Sequence, residues 1–160
     1  MASSAKDARQ RVRDAAFRLL GVRARSASEL RERLQQKKLP DELIEETLTD
    51  FQQKGYQSDE EFARLFAREK FVNAVWGPKR VAQELRSKGI DADLAAQVLS
   101  EYNNQGTLLE RIFPIAEKRW ASTAKLPYQK RRQRLTGFLQ RRGYDWQIVE
   151  QIFNKLGGQT

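Results

Sequence analysis

The apolar residues of the chain fall into one pattern that occurs three times. In the central copy Val81, Leu85, Ile90, Leu94, Leu99 and Tyr102 carry it. A shift of 51 positions towards the N-terminus places Leu30, Leu34, Leu39, Leu43, Leu48 and Phe51 on the same six positions. A shift of 54 towards the C-terminus places Leu135, Leu139, Tyr144, Ile148, Phe153 and Leu156 there. Gly89 and Asp91 recur as Gly143 and Asp145, whereas the first copy has Lys37-Lys38 at the glycine position. Self-similarity at a fixed spacing of about 50 residues marks a tandem repeat. Within each copy, an apolar pair four residues apart precedes the turn. In the second and third copies a glycine stops that segment, and an aspartate suited to capping opens a new run at helical spacing. The unit therefore reads as helix, tight turn, helix.

Another helix is expected ahead of each pair. The first runs over Ala8–Leu20, with Val12, Ala15, Ala16, Leu19 and Leu20 as its stripe, and residues 1–7 have no apolar anchor and are expected to fray. Ser26 and Glu29 have capping-box spacing, and Pro40 with Asp41, Glu42, Glu45 and Glu46 suits the start of the next helix, which Gly55 ends. A second box at Ser58-Asp59-Glu60-Glu61 opens a helix that reaches about Val75, where Trp76-Gly77-Pro78 breaks it and sets Pro78 at the first position of its successor. Thr107 and Glu110 are read as the cap of the helix containing Trp120, with Pro114 kinking it or delaying its start. Ala121–Pro127 reads as loop, and Lys130–Arg142 and Trp146–Leu156 complete the chain. The expected fold is all-α, an elongated array of three tandem three-helix repeats over residues 1–57, with a flexible tail at 1–7, then 58–106 and 107–160.

Composition narrows the chemistry. The 160 residues include no cysteine and no histidine, which removes thiolate nucleophiles, histidine bases and most zinc and copper sites. No Gly-rich phosphate loop occurs: Gly157-Gly158 opens no helix. The acidic clusters at 41–46 and 59–61 sit at helix starts, where the helix dipole favours them, so they are read as structural rather than as metal ligands. No enzymatic activity, metal or cofactor is expected. No run of ~20 apolar residues offers a membrane span, and no secretory h-region precedes Arg9, so a cytoplasmic location is expected.

Charge adds direction. Lysine and arginine number 30 against 21 acids, a net +9, and residues 107–160 hold 11 basic against 4 acidic side chains. A field of this kind favours a polyanion or an acidic protein surface. On a helical wheel Arg134 lies about 40° and Arg141 about 20° from Lys130, beside the face carrying Leu135 and Leu139. Arg131 and Arg142 project nearer the apolar side and are expected to snorkel from the helix ends. Lys79 and Arg86 share a face in the second copy. The candidate polyanion-binding residues are Lys130, Arg134, Arg141, Arg132, Lys79, Arg80 and Arg86, with Trp76 as the tryptophan expected to be most exposed. Two other readings stay open: a helix-turn-helix-like nucleic-acid binder, and a scaffold of helical repeats without a polyanion.

Several local sequences taken together resemble the RecX family, regulators of the RecA recombinase. They are Arg25-Ser26-Ala27-Ser28-Glu29-Leu30, Gly55-Tyr56-Gln57-Ser58-Asp59-Glu60-Glu61-Phe62-Ala63, Gly77-Pro78-Lys79-Arg80-Val81-Ala82-Gln83-Glu84-Leu85 with Lys88-Gly89-Ile90, and Leu139 with Arg142-Gly143-Tyr144. The junction departs from the family's frequent pair of aspartates by having Ser58-Asp59. The resemblance implies a non-enzymatic, all-helical modulator that binds the RecA–single-stranded DNA filament in or along its helical groove. It further implies repression of ATP hydrolysis, strand exchange and co-protease activity. A monomer is expected, and direct binding to single- or double-stranded DNA, resting on phosphate neutralisation with little base readout, is expected to be weak.

Overall fold

The computed structural model describes residues 2–157. Among them are nine α-helices and no strand: α1 Ala2–Val22, α2 Ala27–Gln36, α3 Asp41–Gln53, α4 Asp59–Arg68, α5 Pro78–Ser87, α6 Ala92–Ser100, α7 Gln105–Ser122, α8 Tyr128–Arg141 and α9 Trp146–Gly157. A π-helical turn, Glu69–Asn73, continues α4. All eighteen positions of the threefold pattern are buried or half-buried. The repeated apolar residues are therefore core residues in each copy, where a fully buried leucine or isoleucine contributes about 1.5–3 kcal/mol.

The chain forms two compact units. The first holds residues up to Leu65 together with Leu85–Leu94. Its core is Val12 and Ala16 of α1, Leu30 and Leu34 of α2, and Ile44, Leu48 and Phe51 of α3. Ser26 caps α2 by accepting the Glu29 N–H at 3.1 Å, the first half of the expected capping box. The second half is absent, because the Glu29 carboxylate bonds Arg23 and Lys88 instead. Asp59 adds a separate acceptor at this helix start: its Oδ1 accepts the Ala27 N–H and the Gln57 amide, each at 2.8 Å. The acidic junction thus serves the start of α2. On α3, Glu45, Glu46 and Asp50 pair with Arg31, Arg9 and Arg13.

The second unit holds Phe66–Glu84 and the residues from Ala95 onward. Leu108, Ile112 and Ala116 of α7, Leu135, Phe138 and Leu139 of α8, and Ile148, Val149, Ile152 and Leu156 of α9 are buried there. Phe71 stacks on Tyr102 with ring centroids 4.9 Å apart.

Several boundaries differ from the sequence reading. Helix α1 begins at Ala2, so the stretch expected to fray is helical, although Ala2–Asp7 are all exposed; Met1 lies outside the described residues. Helix α7 starts at Gln105 with Asn104 as its cap, accepting the Thr107 N–H at 3.0 Å, because asparagine in extended backbone caps as well as threonine does. Pro114 lies inside α7 at an exposed position and does not delay its start. Helix α8 starts two residues before Lys130. The helix of the second box ends at Asn73 in the π turn, short of Val75, which takes a φ of 52°. Gly158 lies outside the described residues.

Candidate polyanion-binding site

The connector 123–127 is short, so the end of α7 and the beginning of α8 lie side by side. Between them runs a basic cleft. One part, about 410 Å³, is lined by Arg119, Gln133, Arg134 and Arg141. A second, about 210 Å³, is lined by Arg119, Ser122, Thr123, Arg131, Arg134 and Leu135. A third, about 620 Å³, adds Lys118 and Arg142 beside Pro114 and Ile115. Arg119 is common to all three.

Aromatic rings fix several of these cations. The Arg119 guanidinium lies 3.9 Å from the Phe138 ring centroid, and that of Arg131 lies 3.9 Å from the Trp120 centroid. A guanidinium over an aromatic face keeps its N–H groups, which lie in its own plane, available for an anion. Among the described residues no ion pair joins Arg119, Arg131, Arg134 or Arg141 to a carboxylate. The second unit as a whole carries 15 basic against 7 acidic residues, and the first 15 against 14. In the first unit at least seven cations pair with carboxylates, whereas the cleft cations of the second do not.

The sequence-derived candidates divide accordingly. Arg134 and Arg141 meet in the cleft. Lys130 is exposed on α8 outside the cleft lining, and Lys79 and Arg86 are exposed on α5. Arg132 lies over Phe153 at 4.3 Å and Arg80 over Trp76 at 3.7 Å, stacked as Arg119 is on Phe138, but neither lines the cleft. Trp76 is half-buried, with Lys70 also over its ring at 4.7 Å, and Trp146, 50% exposed, is the more open tryptophan. The reason is local: Lys70 before the helix interruption and Arg80 after it both lie over the Trp76 ring. Arg131 and Arg142 do more than snorkel, since Arg131 donates to the Trp120 carbonyl at 3.0 Å and Arg142 to that of Ala74 at 2.6 Å. Arg119 was missed by the sequence reading. Its available signal was a cation, Arg119, in the last turn of a helix followed by a short connector, which sets it against the next helix.

Three-helix modules in tandem, with buried apolar repeats and an exposed basic cleft, define an all-α repeat protein. Models of the first, second and third three-helix domains of RecX match residues 13–51, 58–99 and 107–153. The chain belongs to the RecX family. It is 34% identical over 142 residues to the regulatory protein RecX of Trichlorobacter lovleyi, covering 88% of this chain and 92% of that one. It is 33% identical over 144 residues to that of Legionella pneumophila, covering 89% and 93%. The crystal structure of RecX from Lactobacillus salivarius superposes with a TM-score of 0.85 at 22% identity, over 95% of this chain and 98% of that one. A second crystal structure of regulatory protein RecX gives 0.86 at 21% identity, over 96% of this chain and 75% of that one. These two likenesses bear on the fold.

Proposed function

We propose that the chain is a non-catalytic regulator that docks on the RecA recombinase filament formed on single-stranded DNA, using the α7/α8 cleft as its principal contact. The observation that carries this reading is the set of unpaired guanidiniums of Arg119, Arg134 and Arg141 on one cleft. Membership of a family whose relatives are named regulatory proteins supports it. A surface of uncompensated cations gains most when it meets a negative surface and releases counterions, and it speeds encounter at low salt. A protein lying in a filament groove also occupies the path of an incoming second DNA, so docking alone lowers strand exchange. Restraint of successive protomers lowers their ATP hydrolysis. The chain acts as a monomer and, with a recombinase as its partner, in the cytoplasm; among the described residues no helix is long and apolar enough to cross a membrane.

Direct DNA binding is a second role of the same cleft, favoured by the planar guanidiniums, which suit phosphate oxygens. It is weak and falls steeply with salt, because few base edges are read. The test is recombinase ATPase on single-stranded DNA with the protein added below one copy per recombinase protomer. Inhibition at that ratio is expected. Unchanged ATPase at equimolar protein, with or without DNA binding, contradicts the reading.

A further inference from the structure

The segment between α4 and α5 departs from regular backbone twice in a few residues. Glu69–Asn73 is a π turn, closed by the Ala74 N–H donating to the Glu69 carbonyl at 3.1 Å. Single π turns are uncommon and often lie at functional places in a helix. Val75 follows at a φ of 52°, a left-handed conformation that a β-branched residue resists because its Cβ crowds the neighbouring carbonyl.

Both departures are held by residues far away in sequence but in the same compact unit. Arg142 Nη1 donates to the Ala74 carbonyl at 2.6 Å, and the Tyr144 hydroxyl donates to the Val75 carbonyl at 2.9 Å. The Gly77 and Lys79 N–H groups donate to the Arg142 and Gly143 carbonyls at 2.6 and 3.1 Å. Tyr144 is 2% exposed, and burial pushes its phenol above the ordinary range, so it stays a donor. The corresponding seam in the first unit, where Ser26 Oγ donates to the Lys88 carbonyl at 2.7 Å, follows no π turn and includes no left-handed side chain before its helix. The strain is specific to the second seam.

We propose that residues 69–77 are a two-state strap, shut by Arg142 and Tyr144. When those bonds release, Val75 returns to right-handed backbone, the π turn tightens to α register, and the start of α5 leaves the 142–144 turn. Strain at Val75 biases the strap open, and the hydrogen bonds bias it shut. The seam between α5 and this turn is therefore adjustable, and it opens without unfolding of the α7–α9 core.

Amide hydrogen exchange of the full chain, read residue by residue by NMR, tests this. Tyr144→Phe keeps the ring and removes one closing bond. Exchange at Trp76, Gly77 and Lys79 should rise about tenfold, the factor one net hydrogen bond carries, while Val149 and Ile152 of α9 change less than about twofold. Val75→Gly accepts the left-handed backbone without crowding, so it should slow exchange at the same three amides in the parent and restore protection in Tyr144→Phe. Equal acceleration in α9 means that the segment opens only with the whole unit and overturns the proposal. So does a Val75→Gly variant whose three amides exchange as fast as the parent's or faster, since Val75 then stores no bias.

Discussion

Replacing Gly143 by alanine tests how tightly the third copy's turn seats on the start of α5. Gly143 has a φ of 95°, and a Cβ there would overlap the Arg80 nitrogen, lie 2.5 Å from Arg80 Cβ and lie 2.9 Å from the Gly77 carbonyl oxygen. Left-handed alanine costs about 1–2 kcal/mol, partly offset by about 0.4–1 kcal/mol from a less flexible unfolded chain. Gly55 isolates those two effects, because its φ is 76° and nothing lies within 4 Å of an added Cβ. Gly55→Ala should therefore destabilise by about 0.5–1 kcal/mol. At Gly143 the obstacle is helix backbone, which yields only if α5 shifts and weakens the Gly77 and Lys79 hydrogen bonds. That adds about 1–3 kcal/mol of overpacking, for a total of about 3 kcal/mol. Urea denaturation followed by far-UV circular dichroism and tryptophan fluorescence measures both variants. If Gly143→Ala falls within about 0.5 kcal/mol of Gly55→Ala, the close seating is wrong.

Other consequences are equally open to measurement. Burial alone works to raise the Glu29 pKa, but hydrogen bonds from Arg23 and Lys88 outweigh it and bring the carboxyl down to about 2. A depressed folded pKa means stability fully present above the unfolded value and lost as pH falls from about 4.5 towards 2. Glu29→Gln should thus lose about 1–3 kcal/mol at pH 7, with the gap closing near the acid end of a urea-midpoint series against pH. Asp59→Ala leaves the Ala27 N–H and the Gln57 amide without their shared acceptor and should cost about 1–2 kcal/mol in the same assay.

Much of this was legible because core positions and caps are local or periodic. Leu30, Leu85 and Leu139 declare themselves by spacing, and Ser26, Ser58 and Pro78 mark helix starts in single stretches of sequence. The turn glycines were only half legible. Their role in stopping a helix is visible, but their close approach to another copy is not. The Lys37-Lys38 departure makes the distinction: Lys38 itself adopts a φ of 57° and is exposed, so left-handed backbone alone tolerates lysine. Glycine is needed where another segment packs on the turn, as Ser28 does on Gly89 and Arg80 on Gly143. The cleft was partly hidden for a related reason. A wheel on one helix finds Arg134 and Arg141 but cannot see Arg119 arriving from its neighbour, nor that Arg80 and Arg132 stack on Trp76 and Phe153 outside the cleft lining.

In the function proposed above, the α7/α8 cleft carries the contact with the recombinase filament. Its most direct test is filament binding and ATPase inhibition by Arg119→Glu/Arg134→Glu/Arg141→Glu, compared with Lys79→Glu/Arg86→Glu on α5. All five side chains are exposed, so far-UV circular dichroism should match the parent; each change should stay within about 0.5 kcal/mol, except that Arg119→Glu also gives up its stacking on Phe138, about 0.5–1 kcal/mol. The cleft variant should lose at least about tenfold in filament affinity, with inhibition falling in step, while the α5 variant loses less. A folded cleft variant that binds and inhibits like the parent would contradict it.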